Sequence, residues 1–339
     1  VGENFITVYN EVISKQKLDD NWLLAQGTLY PDIIESGGTK NSNTIKTHHN
    51  RVDGIQKLIE KGLIIEPIRE LYKDEVRAIG YKLGLPEQLI MRHPFPGPGL
   101  SINVLCYDGK SWSQKDEEEY AAAKKELAEV TLDMFCANCT ANLKRDVLPV
   151  RSVGVQGDFR TYRFPAILDF GPAKDGEWAN RTDAAKIGMR HFPNKREKIE
   201  ACSSAITNKA RFINRTCIKL YQKQGVKNED IKLQEGYCDR RRLDQLREVD
   251  NIVLKELRKA GWYDKIFQHL TIGLPFATSA DRATFVLRPV VSEDVMTARF
   301  AMIPKEILGK IVEQIAALPF VDALYFDATN KPPATFGWE

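Results

Sequence analysis

Phe5, Val8, Tyr9, Val12 and Ile13 fall three and four residues apart, and this spacing predicts an amphipathic helix over residues 3–15. Trp22-Leu23-Leu24-Ala25 is apolar throughout and bounded by polar residues, the pattern of a short buried strand. Val52, Ile55, Leu58 and Ile59 predict a short helix, and Leu63-Ile64-Ile65 a second strand. Val76, Ile79 and Leu83 predict a helix over 73–83, stopped by Gly84 and Pro86. Helix, strand, helix, strand, helix is the alternation of a parallel α/β sheet covered on both faces.

The rest of the chain has a different grain. Residues 112–142 are rich in Glu, Lys and Ala and read as helix. Val153 and Val155 alternate ahead of Gly157-Asp158, a strand and a turn. Leu243, Leu246, Val249, Val253 and Leu257 mark a helix that Gly261 stops. Residues 284–291 are rich in strand formers. Pro304 opens a helix carrying Ile307, Leu308, Ile311, Val312 and Ile315 on one face. Leu324-Tyr325-Phe326 is a final strand. Residues 165–240 give no clear period. Asp158-Phe159-Arg160-Thr161-Tyr162 and Asp281-Arg282-Ala283-Thr284-Phe285 share an Asp-x-x-Thr-aromatic order, an internal echo.

Length and composition set bounds on these elements. A chain of 339 residues fits about two domains. Hydrophobic content of 43% allows full cores, and 28% charged residues suit an ordinary wet surface. A net charge of +3 argues against a nucleic-acid partner, which calls for a strongly basic face. No apolar run approaches the ~20 residues of a membrane span, and no leader pattern is read. The six cysteines form no ligand set, since Cys136-Ala137-Asn138-Cys139 has no matching second pair. Free thiols in a reducing, cytosolic compartment are expected. The chain opens on Val1 rather than Met, directly into a helical pattern, and reads as a fragment whose N-terminal part is missing.

Candidate chemistry sits in four places. Gln26-Gly27-Thr28 follows the first strand, where α/β sheets bind ligands. It reads either as a strand-ending turn or as a phosphate contact, with Gly27 admitting the ligand and Thr28 offering a hydroxyl and an amide. In Ile45-Lys46-Thr47-His48-His49-Asn50 a cation stands beside two imidazoles, which suits a phosphate; the histidines equally serve a loop backbone. Arg92-His93-Pro94-Phe95-Pro96-Gly97-Pro98-Gly99-Leu100 excludes helix and central strand. It reads as a rigid hinge, as an anion cradle flanked by Arg92 and His93, or as both. Near the C-terminus, Asn330-Lys331-Pro332-Pro333-Ala334-Thr335 puts two φ-fixing prolines beside a lysine. Such stiffness is wasted on a fraying tail and suits a strap that closes over a ligand.

These segments, with Ala25-Gln26-Gly27-Thr28-Leu29-Tyr30-Pro31-Asp32-Ile33-Ile34-Glu35-Ser36 and Val153-Gly154-Val155-Gln156-Gly157-Asp158, resemble the glutamine-hydrolysing GMP synthases in wording and in order. The resemblance covers roughly 1–110, 146–165 and 240–339, and 110–240 only loosely. It implies an α/β fold, with residues 1–95 the end of a parallel-sheet, adenine nucleotide alpha-hydrolase-like ATP pyrophosphatase domain. Residues 96–339 would form an α+β dimerisation and XMP-binding domain. A duplicated subdomain, about 146–239 and 240–339, fits the longer, eukaryote-like members. The glutaminase motif and the Ser-Gly-Gly-Val-Asp-Ser phosphate loop of the family do not occur here and would precede Val1.

The resemblance implies ATP-dependent amination of XMP to GMP through an adenylyl-XMP intermediate, releasing AMP and pyrophosphate. Mg²⁺ would accompany ATP, a glutaminase domain would deliver ammonia, and the protein would be a homodimer. Asp158, Arg160, Gln268, Thr297 and Lys331 fall on substrate positions, Arg160 and Lys331 suiting the 5′-phosphate. Gln26, Gly27, Thr28, Asp32, Lys46 and His48 fall on the ATP and pyrophosphate side. Arg288 also matches a family position, and Met296 is expected in the core. The chain departs from the family at Gly337, where a glutamate is usual. Two readings follow: the synthetase part of a GMP synthase, or an isolated dimerisation and nucleotide-binding module without turnover. Other ATP pyrophosphatases, such as NAD-synthesising or arginine-pathway ligases, lack the Lys-Pro-Pro strap.

Overall fold

The computed structural model describes residues 2–16, 22–35, 59–95, 99–133, 143–156, 159–170, 196–293 and 296–339. Two compact units divide the chain, Val1–Arg92 and His93–Glu339. Both are α/β in composition. Among the described residues no helix is long and apolar enough to cross a membrane.

The first unit contains α1 (Gly2–Gln16), β1 (Leu24–Ala25), α2 (Tyr30–Glu35), β2 (Ile64–Ile65), α3 (Lys73–Lys82) and α4 (Glu87–Ile90). β1 and β2 pair in parallel, Leu24 with Ile64 and Ala25 with Ile65. The expected buried strand is shorter and more open than its apolar run implied: Trp22 is 62% and Leu23 50% exposed. α3 ends as its punctuation predicts, at Gly84 with φ 73°. The short helix expected around 52–59 lies largely outside the described residues.

The second unit contains α5 (Gln114–Glu129), β3 (Lys144–Val147), β4 (Ser152–Gln156), β5 (Phe159–Asp169), α6 (Arg196–Lys209), β6 (Ile213–Gln222) and β7 (Lys232–Leu233). It continues with α7 (Arg240–Lys259), β8 (Gln268–Leu274), β9 (Phe276–Ala277), β10 (Ala283–Val291), β11 (Arg299–Phe300), α8 (Lys305–Ala316) and β12 (Val321–Asp327). Eight strands form one sheet along β11-β10-β12-β6-β5-β3, with β8 on the far edge of β10 and β4 beside β5. Side chains alternate across it as the pleat requires. Phe164, Ala166, Leu168, Ile218, Phe285, Leu287, Leu324 and Phe326 join the core shared with α5, α6, α7 and α8. Ile167, Cys217, Val286, Ala323 and Tyr325 face the opposite side, among Leu105, Ile231 and Trp338.

Two stretches of this unit share the order helix, three strands, helix, strand, with β11 an additional strand in the second. From α5 to β6, β3 runs antiparallel to β5 and β5 parallel to β6. From α7 to β12, β8 runs antiparallel to β10 and β10 parallel to β12. Even an irregularity recurs. The register shifts between Phe164 and Pro165 against β6, and between Ala283 and Thr284 against β12. The stretches meet where β6 and β12 pair antiparallel.

Cys106, Cys202, Cys217 and Cys238 are free thiols; Cys136 and Cys139 lie outside the described residues. Burial pushes the Cys202 thiol up to about 12, which makes it inert packing rather than a nucleophile.

Candidate functional site

In the first unit, Gln26, Gly27 and Thr28 stand at the carboxyl end of β1. The Gln26 N–H donates to the Ile65 carbonyl at 2.9 Å. Gln26 and Thr28 are buried, and Gln26 Oε1 meets no hydrogen-bond donor among the described residues. The backbone at Gly27 is open: an added Cβ would only touch Ile68 Cδ1 at 4.0 Å. Asp32 Oδ2 accepts the Leu29 N–H at 2.9 Å and so helps to start α2. Lys46 and His48 lie outside the described residues, as does His49. Periodicity did not reveal a cluster of cations here. Lys73 is lowered by burial and by the neighbouring charges of Arg77 and Arg92.

Pro96, Gly97 and Pro98 of the expected cradle lie outside the described residues, and His93 is buried. Its ring stacks on Tyr263 at 3.8 Å between centroids, and Nε2 bonds the Tyr263 carbonyl at 2.9 Å. Burial lowers its pKa, with Arg258 adding to the effect, so the neutral ring is favoured. The partner lies 170 positions away in sequence, so the local pattern carried no sign of it.

The strap lies in the second unit and is seated on the sheet. Its Lys331-Pro332 and Pro332-Pro333 bonds are both cis. Lys331 exchanges backbone hydrogen bonds with Ala298 at 2.7 and 3.2 Å. Further along, β4 takes the strap as a neighbouring strand. The Val155 N–H donates to the Pro333 carbonyl at 2.7 Å, and the Val153 N–H to the Trp338 carbonyl at 2.8 Å. Ala334 and Trp338 are buried.

Three buried charges lock it there. Asp327 Oδ2 receives Arg215 Nη1 at 2.8 Å, Arg288 Nη1 at 3.1 Å and Trp338 Nε1 at 3.0 Å. Arg288 then reaches the carbonyls of Thr329, Thr335 and Phe336 at 2.8–3.0 Å. Arg215 Nη2 reaches the Val153 carbonyl at 2.7 Å, Thr335 Oγ1 at 2.9 Å and the Gly337 carbonyl at 2.6 Å. Burial by itself would raise the Asp327 carboxyl; Arg288 and Arg215 outweigh it and hold the group below the ordinary range. Burial pulls Arg215 down to about 10, where it still carries its charge at neutral pH. Arg215 and Asp327 escaped the sequence reading because they lie 112 positions apart, so no local pattern joins them.

The expected substrate residues distribute around this strap. Lys331 Nζ lies 4.7 Å from the Phe336 ring centroid, and Phe267 packs on the same ring at 5.6 Å. Gln268, the next residue, is buried and donates its amide to the Pro94 carbonyl at 2.6 Å, so it ties down the start of the unit. Thr297 is exposed and precedes Ala298, the backbone partner of Lys331. Arg160 is exposed on β5 opposite Val155, which holds Pro333. Asp158 lies outside the described residues. Met296, expected in the core, is 75% exposed, in the bend before β11. Gly337 contributes its carbonyl to Arg215 and offers no side chain.

Residues 255–338 match the family model described as "GMP synthase C terminal domain". The chain is 37% identical over 340 residues to a probable GMP synthase (glutamine-hydrolyzing) of Leptospira interrogans, covering 100% of this chain and 50% of that protein. It is 40% identical over 225 residues to the GMP synthase of Bifidobacterium longum, covering 64% of this chain and 39% of that one. The Fusobacterium nucleatum enzyme is 40% identical over 216 residues, 63% and 39%. The chain therefore spans about half the length, or less, of these relatives. The relative matched over the whole chain is bacterial, so the long form expected here is not confined to eukaryotes. The chain belongs to the GMP synthase C-terminal domain family.

Proposed function

We propose that this chain supplies the synthetase part of a GMP synthase, which converts XMP to GMP at the expense of ATP. The C2 oxygen of XMP attacks the α-phosphate of ATP, forming a P–O bond and releasing pyrophosphate. Ammonia, delivered by a glutaminase domain, then adds at C2 and AMP leaves. An amide-like oxygen is a poor leaving group and AMP a good one, which is why the first step is needed. Positioning and charge neutralisation supply most of the catalysis in such transfers.

The observation that carries this reading is the seated strap. Lys331 is held by Ala298 on one side and, through Pro333, by β4 on the other. In the proposal, Lys331 and the exposed Arg160 meet the 5′-phosphate, with Thr297 at the rim. Asp158 and Gln268 orient the base or its neighbours. On the other unit, Gln26, Gly27, Thr28, Asp32, Lys46 and His48 serve ATP and pyrophosphate. Mg²⁺ would neutralise the departing pyrophosphate. Among the described residues no three His, Cys, Asp or Glu side chains gather into a metal site. We also infer a homodimer, and that the α5–β6 and α7–β12 stretches are copies of one ancestral unit; their shared register shift supports this.

The test is titration calorimetry of XMP into the chain and into Lys331→Ala. The variant should bind at least about tenfold more weakly, since it loses a charge-assisted contact. Equal affinity removes the strap from the substrate site.

A further inference from the structure

The equivalence of the two stretches leads to a place the strap does not fill. In the first stretch Leu168 pairs with Ile218, and in the second Leu287 pairs with Phe326. One residue beyond each pair stands an ion pair: Asp169 with Lys219 at 2.8 Å, and Arg288 with Asp327 at 3.1 Å. Acid and base have exchanged strands. Around Arg288 and Asp327 the space is plugged by strap carbonyls and the Trp338 indole. Around Asp169 and Lys219 a cleft of about 1000 Å³ opens. It lies at the upper end of the size range of small-molecule sites.

Its lining has a definite chemistry. Trp112 and Tyr120 meet edge to face at 5.6 Å and build an aromatic wall. The four acids of the lining are occupied. Asp146 holds Lys124 at 3.2 Å, and Asp169 holds Lys219. Glu117 takes the Trp112 indole N–H at 2.7 Å, and Glu229 faces Lys227 at 3.9 Å. Arg145 is spent on the carbonyls that end α5, with Val130 at 2.5 Å. Lys144 on β3 and Lys232 on β7 are exposed and have no ion pair among the described residues. Lys124 Nζ stands over the Tyr120 ring, 4.6 Å from its centroid, so the cleft offers the Trp112 ring, the edge of Tyr120 and two uncommitted cations.

We propose that this cleft is a second ligand site, for an aromatic anion of the purine mononucleotide class. The base would lie against Trp112 and Tyr120, and the phosphate would meet Lys144 and Lys232. Charge-assisted contacts to the phosphate supply the affinity, and the rings supply the preference for a planar ligand. Neither Lys331 nor Phe336 lines the cleft, so the site is separate from the strap. It does not depend on what the strap binds.

The experiment titrates GMP and guanosine into the 339-residue chain carrying isotope-labelled tryptophan, following the Trp112 indole N–H by NMR. Trp112→Phe assigns that resonance. GMP should move it saturably, and guanosine, which has no phosphate, should need a roughly tenfold higher concentration. The double variant Lys144→Ala/Lys232→Ala should weaken the GMP response by at least about tenfold, and Lys331→Ala should leave it unchanged. A resonance that stays still overturns the proposal. So does one that responds equally to guanosine, or equally in the double variant, or that loses its response in Lys331→Ala.

Discussion

Arg288 grips the Thr335 carbonyl with two donors, Nε at 3.0 Å and Nη2 at 2.8 Å, from 47 residues away. The fork geometry of a guanidinium makes this possible, and a lysine cannot reproduce it. Arg288→Met would leave Asp327 buried with one guanidinium partner instead of two. Breaking a buried ionic group costs about 3–5 kcal/mol. Urea unfolding should show a loss of that order, and Arg288→Lys should recover only part of it. A midpoint unchanged in Arg288→Met would mean that the strap is held by its backbone alone.

Gly154 is required by the strap. A Cβ at that position would lie 2.8 Å from the Pro333 carbonyl, 2.9 Å from Asn214 Nδ2 and 3.0 Å from Thr161 Oγ1. The first of these is backbone already bonded to Val155, so it cannot easily retreat. Gly154→Ala should cost about 1–3 kcal/mol, as overpacking does, and on the proposed function should weaken XMP binding through displacement of the strap. The check is a thermal melt beside an XMP titration. A melt at the wild-type temperature would show that the strap yields without cost.

Elements with a clean period were legible: α7, β10 and α8 lie within a few residues of where Leu243 to Leu257, residues 284–291 and Ile307 to Ile315 placed them. β5 and β6 were not, although they stand at the centre of the sheet. β5 contains Pro165, which normally argues against a central strand; here it falls at the register shift. β6 mixes Asn214, Arg215, Thr216 and Lys219 into its apolar run. The side chains of Asn214, Arg215 and Lys219 find distant partners in Ser152, Asp327 and Asp169, and the Thr216 N–H donates to Thr329 Oγ1. Periodicity sees only neighbours, so a buried polar strand paired through tertiary contacts reads as a loop. For the same reason the strap was visible as Lys-Pro-Pro while Arg215, which helps to seat it, was not, and Arg288 stood out only through the family resemblance.

Gly337 has room for a side chain. An added Cβ would come no closer than 3.7 Å to the Glu339 carbonyl, an ordinary contact. Gly337→Glu should therefore be tolerated and restore the carboxylate usual in the family. On the proposed function, a regained charged hydrogen bond of ~1.5–3 kcal/mol would tighten XMP binding by about 10–150-fold. Calorimetry reads this directly. Unchanged affinity would show that position 337 does not contact the substrate in this chain.

Asp250 and His269 should cancel each other's effect on stability. With Nε2 protonated, His269 donates to Thr271 Oγ1 at 3.0 Å, and Thr271 donates to Asp250 Oδ1 at 2.9 Å. Burial pushes Asp250 up to about 6, with Thr271 and Arg258 opposing. Burial pushes His269 down to about 3, with His93 adding. A raised acid stabilises the fold below its ordinary value of 3.8 and loses that contribution as pH rises through about 6. A depressed base stabilises above its ordinary 6.5 and loses that contribution as pH falls towards 3. The Asp250 term is on the order of 3 kcal/mol and the His269 term on the order of 5 kcal/mol, and between roughly pH 4 and 6 their slopes are opposite. Asp250→Asn keeps an acceptor for Thr271 and should make stability rise with pH across this window. His269→Gln should make it fall. Urea unfolding at several pH values separates the two, and parallel, flat profiles in both variants would show that neither group titrates as its burial requires.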